Sequence, residues 1–211
     1  MPADDTITLF HAPNSRSSGA LTLLEELGAP YELHLLNLQT GDQRQPAFLA
    51  INPMGKVPAI RHRDAVVTEQ VAIYIYLADL FPEAGLAPGL TDRRRGPYLR
   101  WMTFYAACFE PALVDKAMKR EPGAQMMSPY GTLDAVLSTL TSQLEAGPYM
   151  LGEEFSALDV LWGGALHWMT AFGLIPATPL IKDYLDRVTT RPAFLHAKEK
   201  DAALAAQQKP S

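Results

Sequence analysis

The spacing of apolar positions changes character along the chain. Residues 6–12, TITLFHA, form a short run that is β-branched at its start, which predicts a buried strand. In 18–28, SGALTLLEELG, Leu21, Leu24 and Leu27 recur at helical spacing and Gly28 supplies a C-terminal stop. Tyr31, Leu33 and Leu35 then alternate along 30–38, predicting a second strand. Residues 41–52 are weakly helical, 56–69 predict two short strands folded about Arg63-Asp64, and 68–81 predict a helix with Thr68 as its N-cap. Around 81–92 prolines and glycines break every period. Beyond that point strand signals vanish, and helical stripes predict helices over 91–119, 129–145, 156–171, 178–190 and 192–206.

The expected architecture is therefore an α/β domain over 1–81, a linker over 82–91 and an all-α helical domain over 92–211. Composition narrows the setting. With 48% hydrophobic and 19% charged residues the chain can bury an ordinary core, and its net charge of −5 argues against a nucleic-acid surface. No stretch approaches the roughly 20 apolar residues that cross a bilayer, so no membrane partner is expected. The acidic start MPADDTITLF lacks the basic opening of a signal peptide, and one cysteine, Cys108, cannot form an internal disulfide. A cytoplasmic location is expected.

Three stretches carry chemistry. In NPMGKVPAI (52–60), Pro58 interrupts what otherwise reads as a strand, where proline cannot donate to the ladder. Either a cis Val57-Pro58 bond or an edge strand that turns sharply would account for it. Both leave the Val57 backbone available to an extended, peptide-like ligand. In VVTEQVAIYIYLAD, Glu69 and Gln70 stand in a first helical turn, where N–H groups are unsatisfied and the dipole is positive. Such a turn suits a ligand carboxylate, and equally an ordinary stabilising acid. The third stretch, HAPNSRSS (11–18), puts Asn14, Ser15 and Ser17 ahead of a helix that one capping residue would satisfy.

In this order the stretches resemble the glutathione transferase family, over nearly the whole chain. The resemblance implies a thioredoxin-like domain that binds glutathione as co-substrate, followed by a helical domain that supplies a small hydrophobic electrophile. It also implies a homodimer. Val57 would pair through its backbone with the cysteinyl part of glutathione, and Pro58 would be cis. Glu69 and Gln70 would hold the γ-glutamyl end, although the family commonly keeps Ser or Asp at the position of Gln70. Lys56 is placed to approach the glycyl carboxylate, or is simply an exposed lysine. Ser156 and Asp159, in FSALDVLW, resemble the family's helix-capping box.

Family members stabilise the thiolate with Tyr, Ser or Cys near the end of the first strand. Residues 11–19 contain no Tyr or Cys. Ser15 looks equivalent to the serine of theta-like members, and Arg16 falls where beta-like members keep a cysteine. Asn14 and Ser17 could share or take over the task. The physical demand is modest: lowering a thiol pKa near 8.5 by about two units needs roughly 2.7 kcal/mol. One hydroxyl hydrogen bond to a charged acceptor contributes about 1.5–3 kcal/mol and a helix N-terminus roughly 0.3–1 kcal/mol. Arg16 would act in the same direction.

Other features have blander readings. Tyr98, Trp101, Tyr105 and Phe109 line one helix face, as core or, with Phe10 or Met118, as a pocket wall. Cys108 reads as a small buried residue and Gly163-Gly164 as a site of close helix packing. The five histidines show no ligand spacing and no phosphate loop is present, so neither a metal nor a nucleotide is expected. Two other functions stay open: glutathione-dependent reduction of a disulfide or peroxide, and a non-catalytic binding role for the same fold.

Overall fold

The computed structural model of this chain describes residues 6–121 and 123–208. Residues 1–5, which carry the acidic start, lie outside the described residues. The chain divides into two compact units, one running to Gly85 and resuming at Thr190, the other spanning Leu86–Thr189. In the first unit the elements are β1 (Ile7–His11), α1 (Ser17–Leu27), β2 (Tyr31–Leu35), a short α2 (Pro46–Leu49), β3 (Ala59–His62), β4 (Ala65–Thr68) and α3 (Gln70–Leu80). The second unit contains α4 (Arg95–Phe104), α5 (Glu110–Ala117), α6 (Leu133–Glu145), α7 (Ala157–Ala171) and α8 (Pro179–Thr189). The last helix, α9 (Pro192–Gln207), returns to the first unit.

The sheet order is β2-β1-β3-β4, with β1 and β2 parallel and the other pairs antiparallel. Strand alternation sorts β1 into two faces. Ile7, Leu9 and His11 point one way and are fully buried, and the His11 ring meets Ser17 at the start of α1. Phe10 points the other way, against Phe48 of α2, with ring centroids 5.7 Å apart. Helices α1 and α3 pack on each other and on the sheet, through Leu21, Leu24, Ile73 and Leu77.

Helix α9 lies along α1. Arg191 makes a bidentate pair with Glu26 at 2.7 Å for both contacts, and His196 reaches Glu25 at 3.1 Å. Residues from Thr190 on, expected within the helical domain over 92–211, group with the first compact unit. The stripe of α9 could not announce its partner, because either unit offers a face for an amphipathic helix.

Three other expectations shift for local reasons. The helix expected over 91–119 is interrupted by one wide π turn, Tyr105–Phe109, between α4 and α5. Pro111 lacks an N–H and its ring crowds the carbonyl four residues earlier, which accounts for the widening. The turn keeps both Tyr105 and Phe109 against the buried Trp162, with centroids 5.6 and 4.8 Å away. Cys108 sits on that turn half-buried, its thiol 3.7 Å from the Pro129 carbonyl, and not in the core as expected. The weak helix of 41–52 becomes a single 3₁₀ turn, Asp42–Arg44, followed by α2.

Of the two glycines read as packing residues, only Gly163 is one. A Cβ there would come within 2.4 Å of Val188 Cγ1 on α8, whereas nothing lies within 4 Å at Gly164. Gly163→Ala is expected to destabilise the protein by about 1–3 kcal/mol through overpacking. Urea unfolding checks this, and adding Val188→Ala should produce a smaller loss than the sum of the two single variants. Among the described residues, no helix is long and apolar enough to cross a membrane.

Candidate active site

The loop between β1 and α1 folds its hydroxyls inward. The Ser15 hydroxyl donates to the Ala12 carbonyl at 2.7 Å and lies 2.8 Å from the Ser17 hydroxyl. Ser17 is fully buried, and its Oγ is 3.0 Å from the Ala12 N–H, 3.1 Å from the Ala12 carbonyl and 2.9 Å from His11 Nδ1. The helix is not capped in the simple way the serines suggested. Its N-cap is Arg16, which is exposed, and no side chain there caps the backbone. Instead, the Ser15 Oγ accepts the Ser17 N–H at 3.2 Å. Ser17, read as able to share or take over the thiolate task, lies enclosed behind Ser15.

Behind these serines lies an acid the sequence did not reveal. Asp201, on α9, places Oδ1 3.1 Å from His11 Nε2, at ion-pair distance rather than as an aligned hydrogen bond. Its carboxylate also accepts the Asn14 N–H at 3.0 Å and the Ser18 hydroxyl at 2.7 Å. Burial alone would raise the Asp201 pKa, but the adjacent His11 ring and the hydrogen bonds from Asn14 and Ser18 outweigh it and hold the carboxyl below its usual value. Asn14 has a positive φ of 56° and an exposed side chain, so its backbone is what ties the loop down.

The Val57-Pro58 peptide is cis. Val57 packs its side chain on the cluster of Phe10, Ala12, Leu36, Phe48 and Ala59. One apolar cluster therefore joins the segment before β3 to Ala12, whose carbonyl accepts the Ser15 hydroxyl. Gly55 allows that segment its course. It has φ +60°, and a Cβ would stand 2.8 Å from the Gln43 carbonyl. Lys56 is exposed, while its carbonyl accepts from the Asn52 side chain at 2.9 Å.

Glu69, not Thr68, is the N-cap of α3, with φ 65° and an exposed side chain. A non-glycine residue in that conformation is sparsely populated and clusters at functional sites. Gln70 follows as the first residue of α3. Its amide turns toward the buried Tyr74 hydroxyl and Gly19 of α1, where a Cβ would meet Tyr74 Oη at 2.6 Å and Gln70 Nε2 at 3.4 Å. The glycine at position 19 makes the room that the longer Gln side chain needs. Of the proposed pocket wall, Phe10, Tyr98, Trp101, Tyr105 and Phe109 are core residues, and Met118 is exposed. Among the described residues no His, Cys, Asp and Glu cluster could hold a metal ion.

His11 had a legible signal: it occupies the inward position of a strand whose other inward residues are Ile7 and Leu9, and a buried imidazole needs a partner. Asp201, 190 positions later in a stretch of alanines, had none.

Comparison with known proteins identifies the family. The family model described as "Glutathione S-transferase, N-terminal domain" matches residues 5–79, and "Glutathione S-transferase, C-terminal domain" matches 130–187. Glutathione S-transferase 3 of Zea mays is 29% identical over 189 residues, covering 82% of this chain and 84% of its own length. The disulfide-bond oxidoreductase YfcG of Escherichia coli (strain K12) is 27% identical over 201 residues, covering 89% and 92%. A crystal structure of a glutathione transferase homolog from Sulfitobacter with bound glutathione superposes with a TM-score of 0.74 at 29% identity, covering 92% of this chain and 98% of that one. With a thioredoxin-like unit, a helical unit and both family models matched in order, the chain belongs to the glutathione S-transferase family of glutathione-dependent transferases.

Proposed function

We propose that this enzyme binds glutathione along the Val57 backbone, holds its thiolate at the Ser15 hydroxyl and directs it at a small hydrophobic electrophile. The observation that carries the reading is the shared cluster under Ala12 and Val57, which couples the serine loop to the cis-proline segment. Ser15 is the half-buried hydroxyl of the loop, since Ser17 is enclosed. Arg16, exposed at the head of α1, adds positive potential to that of the helix N-terminus. Glu69, strained and exposed at the head of α3, would accept the ammonium of the γ-glutamyl group, and Lys56 would face the glycyl carboxylate. On this reading Gln70 positions α3 against α1 and contributes to the ligand mainly through its backbone N–H at the helix start. A second copy of the chain is the expected protein partner, and the cytoplasm the expected location.

The test is equilibrium binding of glutathione. Wild-type protein should bind at sub-millimolar to millimolar concentrations, and Glu69→Ala should weaken binding about tenfold or more, as expected for loss of a charged hydrogen bond. Absence of binding at several millimolar glutathione would remove the proposal.

A second reading is supported by the likeness to a disulfide-bond oxidoreductase. With no cysteine in residues 11–19, a mixed disulfide with the protein has no place in that loop. Reduction would proceed by attack of one bound glutathione thiolate on a disulfide substrate. Comparing turnover of an aryl halide with that of a small glutathione-containing mixed disulfide separates the two reactions.

A further inference from the structure

His11 is a fully buried titratable group that thiolate stabilisation by Ser15 does not by itself require. It stands in a continuous polar line: Asp201 Oδ1 3.1 Å from His11 Nε2, His11 Nδ1 2.9 Å from Ser17 Oγ, and Ser17 Oγ 2.8 Å from Ser15 Oγ. The line begins on α9, passes beneath the head of α1 and ends at the hydroxyl assigned to the thiol. We propose that this line carries the glutathione thiol proton inward, through Ser15 and Ser17, to His11 Nδ1, where Asp201 holds the imidazolium that results. The proposal rests on the assignment of Ser15 to the thiol.

The order of protons follows from the donors and acceptors. An ionised Asp201 beside Nε2 fixes the neutral ring's proton on that nitrogen and leaves Nδ1 as an acceptor facing Ser17. The Ser17 hydroxyl then donates to Nδ1, and its oxygen accepts the Ala12 N–H and the Ser15 hydroxyl. The Ser15 proton has two acceptors in reach, the Ala12 carbonyl and Ser17 Oγ, and the Ser17 proton likewise has the Ala12 carbonyl and His11 Nδ1, so turning both hydroxyls inward closes the line.

Transfer breaks the S–H bond and forms an O–H bond on Ser15. The former Ser15 proton moves to Ser17, and the former Ser17 proton forms the Nδ1–H bond. No electrons leave or enter. A neutral thiol and a neutral imidazole become a thiolate and an imidazolium, and Ser15 now donates its new proton back to sulfur. His11 and Asp201 touch no substrate atom. They are positioning residues that act through the two serines.

The charges around His11 are consistent with this use. Asp201 is the one acid paired with it among the described residues, and that carboxylate is held ionised by its donors. On α1, Glu26 is occupied by Arg191, the N-cap of α9, and Glu25 by His196 and Lys200 of α9. Glu32 of β2 is bonded to the Thr8 hydroxyl and Arg61 of β3 lies over Phe10, both on the opposite face of the sheet.

A proton count on glutathione binding tests the proposal. Calorimetry of the wild-type enzyme near pH 7, in buffers of differing ionisation enthalpy, gives the protons released, and the thiolate absorbance gives the thiolate formed. S-methylglutathione, which has no thiol proton, provides the baseline. The expected result is thiolate formation with well under half a proton released per thiolate. In His11→Gln the proton should appear in solvent, close to one per thiolate, and the bound thiol should ionise about one pH unit higher, a roughly tenfold loss of thiolate below its pKa. Asp201→Asn should move both readouts in the same direction, which serves if His11→Gln does not fold. A full proton released per thiolate by the wild type, or His11→Gln and Asp201→Asn with wild-type proton count and ionisation, would overturn the relay. If Ser15→Ala leaves the thiolate unchanged, the assignment of Ser15 is what has failed. If Ser15→Ala abolishes it while the His11 and Asp201 variants match wild type, the relay alone has failed.

Discussion

Replacing Ser15 by alanine should lower kcat/KM for glutathione conjugation about 10- to 100-fold near neutral pH and change glutathione affinity by less than about threefold. The size follows from the chemistry of a single donor. A hydrogen bond to a charged acceptor contributes about 1.5–3 kcal/mol, and 1.4 kcal/mol is a factor of ten. Lowering the thiol pKa by two units requires roughly 2.7 kcal/mol, so this hydroxyl supplies most of the effect and the helix terminus with Arg16 the remainder. The acid limb of the kcat/KM profile should therefore move up by about one to two pH units in the variant. A pH profile of aryl halide conjugation measures it. The same substitution removes the donor to the Ala12 carbonyl and the acceptor for the Ser17 N–H, so the melting temperature should fall by a few degrees, as for two lost neutral hydrogen bonds. An unchanged pH profile would transfer the thiolate role to Asn14, Arg16 or Ser17.

The largest loss of stability is expected from Asp159→Asn in the second unit. Asp159 is fully buried and both its oxygens are spoken for. Oδ1 accepts the Met150 N–H at 2.8 Å and the Tyr184 hydroxyl at 3.0 Å, while Oδ2 accepts the Ser156 N–H at 2.9 Å and its hydroxyl at 3.1 Å. An asparagine offers one acceptor oxygen and turns an NH₂ toward two of those donors. Two buried donors left unmatched at roughly 1–3 kcal/mol each give about 4 kcal/mol, or roughly 8–16 °C in melting temperature for a chain of this size.

The pH dependence has a definite sign. Burial pushes the Asp159 carboxyl up to about 6, against the opposing hydrogen bonds from Met150, Ser156 and Tyr184. Because the folded pKa is raised above the ordinary 3.8, the contribution to stability is complete below about pH 4 and is lost as pH rises through 6. The gap in stability between wild type and Asp159→Asn should therefore widen on going from pH 7 to pH 5. Urea unfolding at both values measures it, and a constant gap would contradict the assignment.

The two predictions mark how far the sequence could be read. Period alone located every strand and most helices of the first unit, because β1, α1 and α3 carry their apolar residues at the spacing their own backbone dictates. The Ser156/Asp159 cap was legible for the same reason, its partners being three positions apart. The π turn at Tyr105–Phe109 was not, since a proline displaced by one turn leaves the aromatic stripe intact in the sequence. The candidate residues were picked out in the sequence by a broken backbone rule at Pro58, by a first helical turn at Glu69, and by the surplus of hydroxyls before α1. It was illegible where partners are distant. Nothing in a run of alanines on α9 indicates that Asp201 closes on His11, nor that Gly19 makes room for the Gln70 amide. Those contacts exist only after the helices pack.

The most direct measurement is the ultraviolet thiolate absorbance of glutathione bound to the wild-type enzyme, titrated with pH. The bound thiol should be half ionised about two pH units below the free thiol value near 8.5, and that displacement should largely disappear in Ser15→Ala. A bound thiol that ionises near 8.5 in the wild type, or that ionises identically with and without the Ser15 hydroxyl, would contradict the account.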